Sequence, residues 1–117
     1  MLKLLAAIII AATLTAHNAL VTTPTAIAAV TANPNLISAI EAAFPEEQQG
    51  IALYVAMRES GGDCSQRIID TNGYESAGCW QVQSVWWGVV EDDVYAQARQ
   101  AARIVAEHGW SPWTTAP

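Results

Sequence analysis

Residues 4–14 read LLAAIIIAATL, an unbroken apolar or small run preceded by Lys3. This run constrains the chain more than any other feature. It is too apolar for the surface of a small domain and too short to cross a bilayer. A spanning helix takes roughly 20 apolar residues, whereas the apolar centre of an export signal takes about 7–15. His17, Asn18, Thr22, Thr23 and Pro24 end the run, and Ala26-Ile27-Ala28 supplies a small-x-small cleavage site. Residues 1–28 are therefore expected to be a signal peptide cut before Ala29, with an uncleaved N-terminal anchor as the alternative. The product is expected to be secreted, outside the cell or in a cell wall. What remains to fold is a short tether over 29–34 and a single domain over 35–117.

A domain of that size buries a limited core and often needs a covalent staple. The chain holds two cysteines, Cys64 and Cys79. In an exported protein the simplest outcome is one disulfide between them. Closing such a loop is worth about 3 kcal/mol in the chain-entropy treatment. A metal centre has no support, because His17 lies in the leader and no cluster has zinc-ligand spacing. The formal charge is −6, and loss of Lys3 makes it more negative. That argues against a nucleic-acid partner, since phosphates must be neutralised by Lys or Arg. The only cations beyond the leader besides histidine are Arg58, Arg67, Arg99 and Arg103.

Helical punctuation is clear. Asn33-Pro34 reads as an N-cap followed by proline at the first helical position. Leu36, Ile37, Ile40, Ala43 and Phe44 follow at helical spacing until Pro45. Glu46 and Glu47 open a second helix, which runs through Ile51, Ala52, Tyr54 and Val55 to Glu59 and stops at Gly61-Gly62. Residues 63–83 read as irregular, with turn signals at Asp70, Asn72, Gly73 and Gly78. Residues 80–85 alternate in polarity and fit a short extended segment. Asp92 or Asp93 caps a last helix whose buried face is expected to hold Ala98, Ala101, Ala102 and Val105, ending at Gly109. Trp110 and Trp113 are expected to fold back on the core, because both are costly to leave in water.

Glu59 stands out among the acids. Val55, Ala52 and Ile51 precede it by four, seven and eight positions, so it ends an apolar helical stripe. It also sits in the last turn, where the helix dipole disfavours an anion. Both effects push a carboxyl pKa upward, which suits an acid that protonates a leaving oxygen near neutral pH. A solvated glutamate, or one paired with Arg58, is the plainer outcome that periodicity alone allows.

The wider pattern decides between them. Residues 53–62 read LYVAMRESGG, and nineteen positions beyond Glu59 comes Gly78-Cys79-Trp80-Gln81-Val82. The chain closes with Gly109-Trp110 and Trp113-Thr114. Over roughly residues 50–115 this resembles the lysozyme-like superfamily. It is similar to the soluble lytic transglycosylase catalytic domain, to resuscitation-promoting factors and to phage structural lysozymes. Two departures are Cys79 and Trp80, which replace the usual apolar pair of the Gly-x-x-Gln block.

The resemblance implies a small, mainly α (α+β) lysozyme-like domain with at most a short hairpin. It implies a peptidoglycan-cleaving glycosidase acting on the bond between N-acetylmuramic acid and N-acetylglucosamine. Glu59 would be the acid and later the base. Ser60, Tyr74, Gly78, Gln81 and Trp86 would contact substrate. One of Trp86 and Trp87 is expected in the core, since neighbours in an extended segment point opposite ways. Asp63, Asp70 and Glu75 are the candidates for a second carboxylate, although each lies where a solvated loop acid is the simpler reading. No cofactor or metal is implied, and the expected partner is the glycan strand, bound by a monomer. The alternative is a non-catalytic glycan-binding or signalling module with the same fold.

Overall fold

The computed structural model describes residues 24–117. The apolar run, and most of the expected signal peptide, lies outside the described residues. The elements are α1 (Pro24–Ala32), α2 (Leu36–Ala43), α3 (Glu46–Ser60), β1 (Arg67–Ile69), β2 (Glu75–Ala77), β3 (Val82–Gln83), α4 (Ser84–Trp87) and α5 (Val94–His108). The expected mainly helical α+β class is what the chain adopts. Among the described residues no helix is long and apolar enough to cross a membrane.

The N-terminal helix was not foreseen. Residues 29–32, expected as tether, form the second half of α1, and the expected cut before Ala29 falls inside it. Ala26 and Ala29 are one turn apart and fully buried, and α1 packs on α3 and α2. Small side chains make that close approach possible: a Cβ on Gly62 would stand 2.9 Å from the Ala32 Cβ.

Helix α2 begins later than the Asn-Pro signal implies. Asn33 Oδ1 accepts from the Asn35 backbone N–H at 3.0 Å, so Asn33 and Pro34 make a turn and Leu36 is the first helical residue. Leu36, Ile37, Ala39 and Ile40 are its buried face, laid mainly against α5.

Helix α3 follows the sequence signals at both ends. Pro45 precedes it and Glu46 and Glu47 occupy its first turn. Gly61 ends it in the left-handed region at φ 64°, and its N–H bonds Met57 O at 2.9 Å. The α3 face of Gln49, Ala52, Leu53, Ala56 and Ser60 is buried, which leaves Glu59 half-buried at the edge of that stripe. Helix α5 is capped by Asp93, whose carboxylate accepts from Ala96 N–H at 3.0 Å. It buries Val94, Ala98, Ala101 and Ile104, while Ala102 and Val105 are only partly covered.

Residues 63–83 are more ordered than their turn signals imply. They carry a three-stranded antiparallel sheet in the order β1-β2-β3, with Ile68 opposite Ser76 and Ala77 opposite Val82. Gly73, at φ 86°, makes the β1–β2 turn, and Asn72 Oδ1 accepts from Tyr74 N–H. The extended stretch expected over 80–85 shrinks to Val82–Gln83, because Ser84–Trp87 winds into one helical turn.

Trp80 is the centre of the core. It is 1% exposed and donates its indole N–H to Ala52 O at 3.0 Å. Phe44 lies against both Trp80 and Trp110. Trp113 donates to Trp80 O at 2.7 Å, and Trp110 donates to Gln48 Oε1 at 2.7 Å. The tail therefore returns to the core, and each buried indole has a partner for its N–H.

Candidate active site

The disulfide forms as expected, between Cys64 and Cys79. It joins the loop after α3 to the turn that enters β3. Gln97 of α5 reinforces it from behind. Its Oε1 accepts from Cys79 N–H at 2.8 Å, and its Nε2 donates to Cys64 O at 2.9 Å and Glu91 O at 2.8 Å. Gly78 fits this corner because of Gln97. Its φ is 81°, and a Cβ there would lie 2.6 Å from Gln97 Oε1. The Gly78 N–H bonds Gln66 O at 2.8 Å.

The turn carries a second unusual backbone. Gln81 has φ 49°, the single positive φ at a non-glycine position among the described residues. Such a conformation costs of order 1 kcal/mol or more, and the side chain offsets it by bracing its own turn. Gln81 Nε2 donates to Gln66 O at 3.0 Å and Gly78 O at 2.8 Å. No bond from a described residue reaches Gln81 Oε1, so that oxygen is free to accept from a ligand.

These elements enclose a cleft of about 400 Å³ whose wall includes Glu59, Asp70, Gln81, Gln83, Trp86, Trp87, Trp113 and Thr114. Glu59 projects from the last turn of α3, and its Oε2 accepts from Thr115 Oγ1 at 2.6 Å. That contact was not legible in the sequence, where the two residues are 56 positions apart. Trp86 is 63% exposed; its indole donates to Gln83 Oε1 at 3.0 Å. Tyr74 does not line the cleft itself. It packs edge-on against Trp86 with centroids 5.6 Å apart, so the two rings form one aromatic rim.

The adjacent tryptophans divide as expected, though on a helical turn over residues 84–87 and not on an extended segment. Trp87 is the one that packs against the core, half-buried, while Trp86 stands exposed. Both border the cleft, with Trp87 in edge contact with His108 at 5.1 Å.

Two expected contact residues sit behind the cleft wall. The Ser60 hydroxyl is buried, shared between Ala56 O at 3.0 Å and Cys79 O at 2.9 Å, and it accepts from Gly62 N–H. It ties the end of α3 to the Gly78–Gln81 turn and so fixes Glu59 against that wall. Gly78 is likewise buried.

Of the three candidate second carboxylates, Asp70 alone borders the cleft. Its Oδ2 accepts from Ser76 Oγ and, at 2.7 Å, from Gln83 Nε2. Glu75 pairs with Arg67 at 3.2 Å. Asp63 accepts from the Ser65 hydroxyl and N–H, which hold its carboxyl below the usual range. Among the described residues no group of His, Cys, Asp and Glu is placed to hold a metal ion.

A helix-end glutamate, a half-buried cleft, an amide-bearing turn locked by a disulfide and an aromatic rim are thus in one place. The family profile described as "Lysozyme like domain" matches residues 36–115. The chain belongs to the lysozyme-like domain family. The match begins at the first residue of α2 and ends at Thr115, the residue that bonds Glu59; α1 lies outside it. Membership points to glycosidase activity on peptidoglycan. No curated protein and no solved structure is significantly similar to the chain.

Proposed function

We propose that this lysozyme-like domain cleaves the glycan strands of peptidoglycan outside the cell, with Glu59 as the catalytic acid and base. The observation that carries this reading is the position of Glu59: half-buried, at the end of α3, on a cleft that it shares with Gln81 and an exposed tryptophan. A sugar ring offers an apolar face and a rim of hydroxyls. Trp86 supplies a surface for the first, and Gln81 Oε1 an acceptor for the second.

In the proposed reaction Glu59 gives its proton to the glycosidic oxygen as the bond from the N-acetylmuramic acid anomeric carbon to that oxygen breaks. The N-acetylglucosamine hydroxyl leaves. The Glu59 carboxylate then takes the proton of the hydroxyl that attacks the same carbon. That hydroxyl is either the muramyl 6-hydroxyl, which closes an anhydro ring, or water, which gives a reducing end. Asp70 is the other carboxylate bordering the cleft, and a water attack would use it or Glu59 as base.

The test is to incubate the purified, disulfide-bonded protein with peptidoglycan and analyse the soluble products by mass spectrometry. Muropeptides with anhydromuramyl or new reducing muramyl ends are expected. Retained binding to the glycan with no product from a folded protein would replace the enzyme with the glycan-binding module.

A further inference from the structure

Beyond the cleft, the arginines divide into two kinds. Arg67 is engaged, bonding Glu75 at 3.2 Å, Asp92 at 3.1 Å and Val90 O at 3.0 Å. Arg58 lies over the Tyr54 ring and donates to its hydroxyl. Arg99 and Arg103, one turn apart and exposed on α5, take part in no ion pair among the described residues. In a chain of formal charge −6, two neighbouring uncommitted guanidinium groups are a local exception.

They also border a cavity. Arg99 and Arg103 line a second depression of about 300 Å³ together with Trp87, Val89, Glu91 and Gln100. Its loop wall is fixed from α5. The Gln100 amide lies within reach of the carbonyls of Trp87 at 3.3 Å, Gly88 at 3.1 Å and Val89 at 3.3 Å. Trp87 lines both this depression and the cleft that holds Glu59, so the two adjoin.

We infer that the Arg99–Arg103 depression binds the peptide stem carried by the muramic residues of the glycan. This rests on the glycan-cleaving reading of the neighbouring cleft. Guanidinium forks match carboxylates in paired hydrogen bonds, and stems carry free carboxylates along the strand. Glu91 on the same lining sets the choice among anions. A stem also presents backbone N–H groups and, in many walls, an amine, all of which suit a carboxylate neighbour. A wall polyphosphate offers negative charge alone and would be repelled by Glu91.

The test compares intact peptidoglycan with the same strands stripped of stems by an amidase, and measures rates of product release against substrate concentration. For Arg99→Ala/Arg103→Ala the kcat/KM on intact wall is expected to fall roughly tenfold or more, as loss of charge-assisted hydrogen bonds implies, chiefly through KM. The fall on stripped strands should be several-fold smaller, and Arg99→Lys/Arg103→Lys should recover part of the loss on intact wall. Equal losses on both substrates, or none on intact wall, would overturn the inference while leaving the catalytic reading in place. Titration of the free stem peptide, followed by NMR shifts, gives a readout independent of cleavage. Binding that requires both arginines supports the site even for an inactive protein. No peptide binding, or arginine-dependent binding of a wall polyphosphate in its place, sinks it.

Discussion

The Thr115 hydroxyl donates to Glu59, the proposed acid, so a tail residue bears on the orientation of that carboxylate. A carboxylate with a 2.6 Å bond to one oxygen keeps its plane and presents the other oxygen consistently. Thr115→Val would remove that bond with little change in volume. The expected effect is a roughly ten- to hundredfold lower kcat at nearly constant KM, as for one lost hydrogen bond to a charged group. Thr115→Ser should restore most of it, and steady-state kinetics on soluble muropeptide chains would show the split. Helical periodicity puts Glu59 at the end of an apolar stripe but equally allows a solvated glutamate, and it is the resemblance of its Glu-Ser pair and of the Gly78–Gln81 block that singles it out. Gln81 was legible only through the resemblance of its block, and its positive φ was not legible at all. Thr115 left no trace, since periodicity links residues within a helix and says nothing about a side chain arriving from the far end of the chain. The resemblance of the Glu-Ser pair implies a substrate contact for Ser60. Neighbours on a helix point about 100° apart, and Ser60 turns toward the protein, where its hydroxyl bonds the Cys79 carbonyl.

Among the elements, the disulfide corner carries the site. Cys64, Cys79, Gln97 and Ser60 join α3, α5 and the β2–β3 turn at one point. The pairing encloses a sequence separation of 15, for which the chain-entropy treatment gives about 3 kcal/mol. A Cys64→Ala/Cys79→Ala protein is therefore expected to melt roughly 10–20 °C lower than the parent, measured by circular dichroism, and to lose activity below the melt as the Gly78–Gln81 turn loosens. An unchanged melting temperature would mean that Gln97 alone secures the corner. The helices of this region were readable from the sequence because their caps are strong: Pro45 and the glutamates, Gly61, Asp93 and Gly109. The sheet was not, because its strands are two or three residues long. β1 is exposed throughout, so it has no alternation to read. The helical turn that carries Trp86 and Trp87 was hidden for the same reason. A four-residue helical turn is too short to show a period, and alternation in residues 80–85 pointed to a longer strand.

At the scale of the molecule, a short chain achieves a closed core by stacking aromatic side chains from three separated segments. Phe44 follows α2, Trp80 sits in the turn that leads into β3, and Trp110 and Trp113 come from the tail. The same contacts that bury these rings set the positions of Glu59, Gln81 and Thr115, so stability and the site share one scaffold. The disulfide and the return of the tail were legible from the two cysteines and the two tail tryptophans, and the mainly helical class from the resemblance together with the helical spacing. Helix α1 was not, because its alanine-rich sequence is equally compatible with the end of an export signal.

The central claim is that Glu59 performs the proton transfers. The most direct measurement compares wild type with Glu59→Gln, and with Asp70→Asn in parallel, by the rate of soluble muropeptide release from peptidoglycan, with thermal melts to confirm folding. The account predicts that Glu59→Gln remains folded and still binds glycan while its rate falls by about 10²–10⁴-fold, the usual contribution of general acid–base catalysis. A folded Glu59→Gln protein that releases muropeptides at the wild-type rate would contradict it.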